Sequence, residues 1–332
     1  MSASVAGKIE TAFGSVIGIN ELNVDVSSDA SYVDDKLEIA LVVDVTGSMS
    51  RRSAGGSSKI EELREAVETD FLGNLFPDLD GPADNDRIRI SLVPYSSAVD
   101  VSETPPLSYR DLASKCMAES GIRALDDNEG SEVILLGNGM DCPRNASVIP
   151  MTNNPKLIID RLNGIVPDGV TAGHLGLLWG WNTISENWAA QWPADSRPSL
   201  DSDEDVRKIV VFMTDGQFNT YYQKIGTITE DERTRADLQR VSRFRLGGNT
   251  IRTNAAVGES EDRARYACDA MSAKGYTVYT IGFAMNSGQS SESVLRDCAT
   301  NPSKHFFDAA GGQLGRAFEE IASDVKRIWL SS

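Results

Sequence analysis

Three oxygen-bearing side chains follow one apolar run at alternate positions. The run extends from Ile39 to Val43, and Asp44, Thr46 and Ser48 come directly after it. At this spacing the side chains could present three oxygens to one point, because Gly47 lets the backbone bend tightly between them. Three hard oxygen ligands that together carry one negative charge suit Mg²⁺ or Mn²⁺ better than zinc, which prefers nitrogen or sulfur. The alternative is that Asp44 caps the following helix through its N–H groups.

Two later stretches supply the rest of a candidate site. A second aliphatic run, from Lys208 to Met213, ends in Thr214-Asp215-Gly216. A loop between the two runs contains Thr171, which opens a predicted helix. Such aliphatic runs are typical of strands buried on both faces of a parallel sheet. The turn after such a strand is where open α/β sheets bind their ligands.

The three stretches, in this order, resemble the von Willebrand factor A (VWA) domain and its metal-ion-dependent adhesion site. The resemblance implies a divalent ion, Mg²⁺ or Mn²⁺ rather than Ca²⁺, with an open position that receives an Asp or Glu carboxylate of a protein partner. Val170 departs from the family, which usually has Gly-Gly-Thr in the second loop. The departure concerns the backbone of that loop and not its hydroxyl. The implied ligands are Asp44, Thr46, Ser48, Thr171 and Asp215.

The elements around these motifs alternate between helix and strand. Apolar periodicity predicts helices at 59–75, 155–165, 172–182, 259–273, 291–298 and from 313, and strands at 87–93, 276–283 and 304–307. The VWA resemblance adds a short antiparallel edge strand at 98–101. The alternation indicates an α/β fold with a doubly wound, mainly parallel sheet flanked by helices, of the VWA or Rossmann-like kind.

The 332 residues suffice for one large domain. Residues 1–34 are predicted to be an N-terminal extension with a short β segment, and residues 35–330 to be the VWA domain. Trp188 and Trp192 lie in one of its insertions, where they either pack inside or form a binding surface, and packing is the favoured alternative. The insertions are predicted at about 102–149, 183–206 and 217–258.

The net charge bears on possible partners, and the hydropathy bears on whether the chain spans a membrane. The net charge of −17 argues against nucleic acid and against an anionic membrane surface. No stretch approaches the 18 consecutive apolar residues that indicate a membrane-spanning helix, so no span is expected in this chain.

The four cysteines bear on the cellular compartment. They allow three disulfide pairings, and sequence cannot select among them. The pairs Cys116–Cys142 and Cys268–Cys298 are the easiest to build, because helices on either side of one strand can pack on the same face of the sheet. Four reduced thiols are the alternative.

Stretches outside the metal motifs narrow the resemblance. The run from Lys36 to Met49, the segment from Gly176 to Trp181, and Cys268 with Cys298 are together similar to the TadG-like proteins of bacterial Flp (tight adherence, Tad) pilus-assembly systems. Members of that family usually carry a membrane helix before this region. The resemblance therefore implies an excised soluble part of a membrane-anchored protein in the periplasm or at the cell surface, where disulfides persist.

Three functions follow as hypotheses. The favoured one is a metal-dependent adhesion or assembly module whose partner is a pilus component offering a carboxylate. The second is a cytoplasmic VWA protein acting with an ATPase partner, which reduced cysteines would favour. The third is an enzyme in which the metal activates water. Because only His174 near the motifs is a base of suitable type, no enzymatic activity is expected.

Overall fold

A nine-stranded sheet is the centre of the part of the chain that the structure describes. The structure, a computed structural model, describes residues 2–10, 21–29, 36–107, 110, 116–120, 133–136, 142–224, 243–247, 250–253, 259–285 and 288–331. The strands are β1 (Ser2–Glu10), β2 (Glu21–Asp29), β3 (Lys36–Asp44), β4 (Ile88–Tyr95), β5 (Val99–Asp100), β6 (Cys116–Ser120), β7 (Val133–Leu136), β8 (Ile149–Thr152), β9 (Val206–Thr214), β10 (Tyr221–Lys224), β11 (Arg243–Gly247), β12 (Thr250–Thr253), β13 (Thr277–Phe283) and β14 (Phe306–Ala309).

Strand β3 is an inner strand of a group of five parallel strands. The sheet order is β14-β13-β9-β3-β4-β5-β6-β7, with β8 also paired to β4. The pairings among β14, β13, β9, β3 and β4 are parallel, and those from β4 outward to β7 are antiparallel. Aliphatic residues occupy both faces of β3, and every residue after Lys36 in that strand is buried. The predicted mainly parallel sheet is confirmed.

Helices cover both faces of the sheet. They are α1 (Lys59–Glu65, continued by the π-helical turn Ala66–Leu72 and by Gly73–Leu75), α2 (Pro155–Gly164), α3 (Gly173–Ile184), α4 (Glu259–Ala273), α5 (Ser290–Cys298), α6 (Pro302–His305) and α7 (Leu314–Ser331). One apolar core joins the sheet to α3, α4 and α5. The other joins it to α1, α2 and α7, where Phe71 and Phe318 meet edge to face at 5.5 Å. The chain is therefore doubly wound, as predicted.

The antiparallel side of the sheet differs from the prediction. Residues 98–101 were expected to form an edge strand, but β5 pairs with β6 on its outer side. Strands β6 and β7 come from the segment predicted as a loop insertion at 102–149. The register between these two strands shifts, which explains why no clean alternation is visible in the sequence.

Two other segments add elements that periodicity did not reveal. Strands β10, β12 and β11 form a separate three-stranded antiparallel sheet within the predicted insertion at 217–258. The strand expected at 304–307 begins two residues later, because Pro302–His305 is helical and Asn301 accepts a hydrogen bond from Ser303 N–H at its start. At the N-terminus β1 pairs with β2, consistent with the expected β segment.

Two disulfides join Cys116 to Cys142 and Cys268 to Cys298, the pairs favoured from the sequence. Cys268 lies on α4 and Cys298 ends α5, so the second bond connects the helices before and after β13. Trp188 and Trp192 are both buried, and the indole N–H of Trp192 donates to Asn182 O at 2.8 Å. These tryptophans pack in the interior. Within the described ranges, no helix is both long enough and apolar enough to cross a membrane.

Candidate metal centre

Two central strands deliver the first and third motifs to the same edge of the sheet. Strands β3 and β9 are parallel neighbours that end at Asp44 and Thr214. Asp215 follows β9 directly, and a 3-10 turn at Gly47–Ser50 carries Ser48 just beyond β3. Parallel pairing therefore brings residues about 170 positions apart into contact at the carboxyl ends of the strands.

A chain of oxygen contacts connects these motifs. The hydroxyls of Thr46 and Ser48 lie 2.8 Å apart, and Ser48 donates to Asp215 Oδ1 at 2.6 Å. Thr46 also donates its backbone N–H to Asp44 Oδ1 at 2.9 Å. Four of the five predicted ligands, Asp44, Thr46, Ser48 and Asp215, are thus linked in one cluster.

Asp44 is the most enclosed member of the cluster. Its Oδ2 atom accepts hydrogen bonds from Thr214 Oγ1 at 2.8 Å, from Asp215 N–H at 3.3 Å and from the Tyr95 hydroxyl at 3.5 Å. Thr214 and Asp215 belong to the third motif at the end of β9, and Tyr95 is the last residue of β4. The contacts of the Asp44 carboxylate therefore connect the three strands β3, β9 and β4. Asp44 N-caps no helix here, because the short turn after β3 begins at Gly47 with Thr46 at its cap.

Backbone contacts join the loop of Thr171, the fifth predicted ligand, to the loops that carry the other motifs. Gly47 N–H donates to Gly169 O at 3.1 Å, which joins the first and second motifs. Thr171 N–H donates to Asn219 Oδ1 at 2.8 Å, and Asn219 N–H donates back to Thr171 O at 3.0 Å. Thr171 is buried, and the contacts that place it are those of its backbone with Asn219.

Gly169 supplies the unusual backbone of the second loop. Its φ is +87°, a region that favours glycine, and a Cβ there would lie 2.6 Å from Ser97 Oγ. Val170 has a negative φ and donates its N–H to Ser97 Oγ at 2.8 Å. The replacement of the family's second glycine by Val170 therefore leaves this loop without backbone strain at that position.

Burial and like charge make Asp44 a costly carboxylate. Burial and, after it, the charge of Asp215 raise the pKa of Asp44 to about 7, although hydrogen bonds from Thr46 and Thr214 lower it in part. Burial, followed by the charge of Asp44, also raises the pKa of the Tyr95 hydroxyl well above its usual value. Two carboxylates meeting in a buried place attract a cation.

Lys59 contacts the candidate site, and the sequence analysis did not identify it. Its ammonium group donates to Asp215 Oδ2 at 3.0 Å and to Ala284 O at 3.3 Å. Lys59 is the first residue of α1 and comes shortly after the first motif. This position was the available signal in the sequence for a contact with the site. Its contact with Asp215, 156 residues away, depends on the tertiary fold.

His174, considered as a base in the sequence analysis, is buried at the start of α3. Its ring lies 6.3 Å from that of Tyr221, centroid to centroid. The side chain is therefore packed in the interior.

The donor set fits a hard divalent ion. Neighbouring oxygens around octahedral Mg²⁺ lie about 2.9 Å apart, from its usual metal–oxygen bond lengths. The Thr46–Ser48 and Ser48–Asp215 separations of 2.8 and 2.6 Å are close to that spacing, and they are also ordinary hydrogen-bond lengths. Among the described residues, no group of three or more His, Cys, Asp or Glu side chains is arranged for a metal. A site here depends on hydroxyls, so the five ligands stay a prediction.

Comparison with known proteins concerns the fold. A scan against protein-family models finds no match, and neither does a search of curated proteins. The chain is similar to the vWF domain of the type V pili tip protein Mfa5 from Porphyromonas gingivalis, with 15% identity, a TM-score of 0.52, and coverage of 88% of this chain and 96% of that one. It is also similar to the pilus adhesin SpaC from Lactobacillus rhamnosus GG, with 12% identity, a TM-score of 0.51, and coverage of 89% of this chain but 31% of SpaC. The chain thus spans about a third of SpaC, and it has a VWA/Rossmann-like α/β fold.

Proposed function

We propose that this chain is a metal-ion-dependent adhesion module of a bacterial surface pilus system, which binds a carboxylate of a protein partner through Mg²⁺ or Mn²⁺. The observation that carries the proposal is the convergence of hydroxyls and carboxylates from separate motifs at one sheet edge, with Ser48 Oγ 2.8 Å from Thr46 and 2.6 Å from Asp215. Asp44, Thr46, Ser48, Thr171 and Asp215 would hold the ion.

The chain's own residues prepare this site for binding. Hydroxyls are weak donors, so an ion held by three of them stays electrophilic and accepts a further carboxylate oxygen. Thr214, Tyr95 and the backbone of Asp215 orient Asp44 from behind, so that the carboxylate is positioned before any ion arrives. Hydrogen bonds of this kind, made to a ligand from behind, set the orientation of metal ligands.

Thermal unfolding with EDTA, Mg²⁺ and Mn²⁺ tests the proposal. A single site at ten times its dissociation constant adds about 1.4 kcal/mol to the free energy of unfolding. That raises the melting temperature by roughly 2–4 °C for a domain of this size. Ser48→Ala removes one ligand from a half-buried position and should abolish the rise.

The matched control is Ser272→Ala on the exposed face of α4, which should keep the full metal response. Ser48 is preferred to Asp44 because Asp44 is fully buried with several hydrogen bonds, and its replacement would disturb folding as well. An equal metal response in wild type and Ser48→Ala would refute the assigned ligands. No metal response in the wild type, either without or with acetate as a carboxylate, would refute the site.

The finer assignment within pilus systems is to the TadG-like proteins, on the motifs quoted from the sequence. Mfa5 and SpaC are described as a pilus tip protein and a pilus adhesin, which supports a pilus setting. Two disulfides support an extracytoplasmic location and speak against the cytoplasmic alternative, which expected reduced cysteines. The proposal includes a membrane anchor in the full-length protein.

Gene deletion in the source bacterium tests this finer assignment. Loss of surface fibres, restored by the wild-type gene but not by Ser48→Ala, would support a metal-dependent role in assembly. Intact fibres with lost attachment would instead assign the module to adhesion alone.

The proposal treats the site as a binding site and not as an enzyme centre. Phosphatase or esterase activity that disappears in Ser48→Ala and persists in Ser272→Ala would overturn that part of it.

A further inference from the structure

Lys59 covers the side of Asp215 that faces away from the hydroxyls. Ser48 donates to Oδ1 of this carboxylate, whereas the Lys59 ammonium group donates to Oδ2 at 3.0 Å. The Asp215 side chain is fully buried and that of Lys59 is 12% exposed. The ammonium group of Lys59 therefore lies one carboxylate away from the predicted metal position, on a side chain that is partly accessible to solvent.

Contacts of its backbone and of its Nζ atom together fix the position of the Lys59 side chain. Its backbone opens α1, where Ser58 and Glu61 form a reciprocal capping box. Its Nζ atom also donates to Ala284 O at 3.3 Å, just beyond the end of β13. Ala284 has a φ of +47°, and its N–H donates to Ala309 O at 2.7 Å, so this carbonyl is fixed by the neighbouring strand end.

The charge count at the site changes once Lys59 is included. With both carboxylates ionised, Asp44 and Asp215 carry two negative charges, which would neutralise a divalent ion completely. Lys59 cancels one of them, so the occupied site keeps one positive charge. One further carboxylate brings the total to zero, and burial makes such neutrality valuable.

We propose that Lys59 makes occupation of the metal site depend on a carboxylate supplied by the partner. This inference rests on the proposed function and specifies how the same site is regulated. Lys59 repels the ion while the site has no ligand, and its positive charge attracts the incoming carboxylate. The site thereby selects an acidic group over a neutral oxygen donor, and metal and ligand bind cooperatively.

Isothermal titration with Mn²⁺ tests the inference on the intact chain. Wild type, Lys59→Met and Lys59→Arg are titrated in chloride buffer and again with a fixed excess of acetate as the carboxylate probe. Lys59→Met keeps the aliphatic stem without the charge, and Lys59→Arg is the matched control that retains it. Lys59→Gln replaces Lys59→Met if the latter does not fold, as judged by circular dichroism.

We expect the charge-removing variant to bind Mn²⁺ about tenfold more tightly in chloride, because a unit positive charge about 6 Å from a divalent ion costs about that factor even at the dielectric constant of water. Acetate should tighten Mn²⁺ binding in the wild type and in Lys59→Arg, and much less in Lys59→Met. Unchanged or weaker Mn²⁺ binding by Lys59→Met, or an equal acetate effect in all variants, would overturn the inference.

Ser48→Ala separates failure of the inference from failure of the site. Mn²⁺ binding that is lost in Ser48→Ala but unaffected by Lys59→Met would leave the proposed function standing and reduce Lys59 to a structural ion pair. Absence of Mn²⁺ binding in the wild type and Lys59→Met alike, with and without acetate, would overturn both.

Discussion

Gly169→Ala probes how the second loop is held in place. The substitution adds a Cβ to a residue with φ of +87°, 2.6 Å from Ser97 Oγ and 3.0 Å from Ser96 Oγ. The left-handed backbone alone costs an L-residue about 1–2 kcal/mol. Displacing two packed hydroxyls adds about 1–3 kcal/mol. We therefore expect a loss of about 2–5 kcal/mol in the free energy of unfolding, which combines these two costs.

Chemical denaturation by urea measures this loss, and two other glycines provide matched controls. Gly275 has a similar φ of +83° but no atom within 4 Å of an added Cβ, so Gly275→Ala isolates the backbone cost. Gly81 has open space and no positive φ, so Gly81→Ala should be nearly neutral. If Gly169→Ala destabilises the protein no more than Gly275→Ala, the close contact with the serines is not a constraint, and the reasoning is refuted.

The same variant also reports on the metal site. Because Gly169 O accepts from Gly47 N–H and Thr171 follows two residues later, a displaced loop should weaken Mn²⁺ binding. Gly275→Ala, at the turn between α4 and β13, should leave Mn²⁺ binding unchanged. Equal Mn²⁺ affinity in Gly169→Ala and wild type would show that the second loop contributes no ligand.

Two further predictions concern stability away from the site. Replacing Cys268 and Cys298 together by serine removes a covalent link between residues 30 positions apart and should lower the free energy of unfolding by about 3–4 kcal/mol, measured by urea denaturation. A loss below about 1 kcal/mol would contradict a constraining role. Asp201→Asn removes the charge partner of the buried Lys208 ammonium group, 2.6 Å away, and should cost about 2 kcal/mol at pH 7. Burial opposes the charged form of Asp201, but hydrogen bonds from Lys208 and Tyr276 and the charge of Lys208 lower its pKa below the usual value. The pKa of Asp201 is lower in the folded state than in the unfolded state, so the stability that its charge contributes is present above about pH 4. It should disappear as the pH falls through the folded-state pKa. A difference in stability between wild type and Asp201→Asn that persists at about pH 2 would contradict the assignment.

The parallel core was predictable because its signals are local. β3 and β9 are long aliphatic runs that end in polar residues, and each run alone indicates a buried strand. The helix at 259–273 was predicted with the same bounds that α4 has in the structure. Topology favoured the Cys268–Cys298 pair without fixing it, since the helices before and after β13 can pack on the same face of the sheet.

The rest of the fold depended on contacts that no local pattern encodes. β6 and β7 are short, with a register shift between them, so they lack the alternation that marks a strand in sequence. The capped turn at Asn301-Pro302 was a visible helix signal, but the aromatic pair after it favoured a strand that begins earlier. Strand β10 forms a sheet with β12 and β11, which lie about 20 or more residues further along the chain. The composition of a loop does not reveal such distant pairing.

The candidate site divides in the same way. Asp44, Thr46, Ser48 and Asp215 were identifiable by type and spacing, and the structure links them directly. Lys59 was not identifiable from the sequence. The strand ends around the start of a helix decide the direction of a lysine side chain at that place. Ionic contacts between distant parts of a chain require the tertiary structure.

The disulfide between α4 and α5 also has a mechanical consequence. It closes a covalent ring around β13, an inner strand of the sheet, by joining two residues that are 30 positions apart in the sequence. When the chain is pulled from its two ends, this ring cannot be drawn out even after every strand has separated. At full extension the oxidised protein is therefore shorter by roughly 100 Å than one lacking this bond. The tensile load instead passes through the sulfur bridge, which spares β13 and the residues beside it from extension.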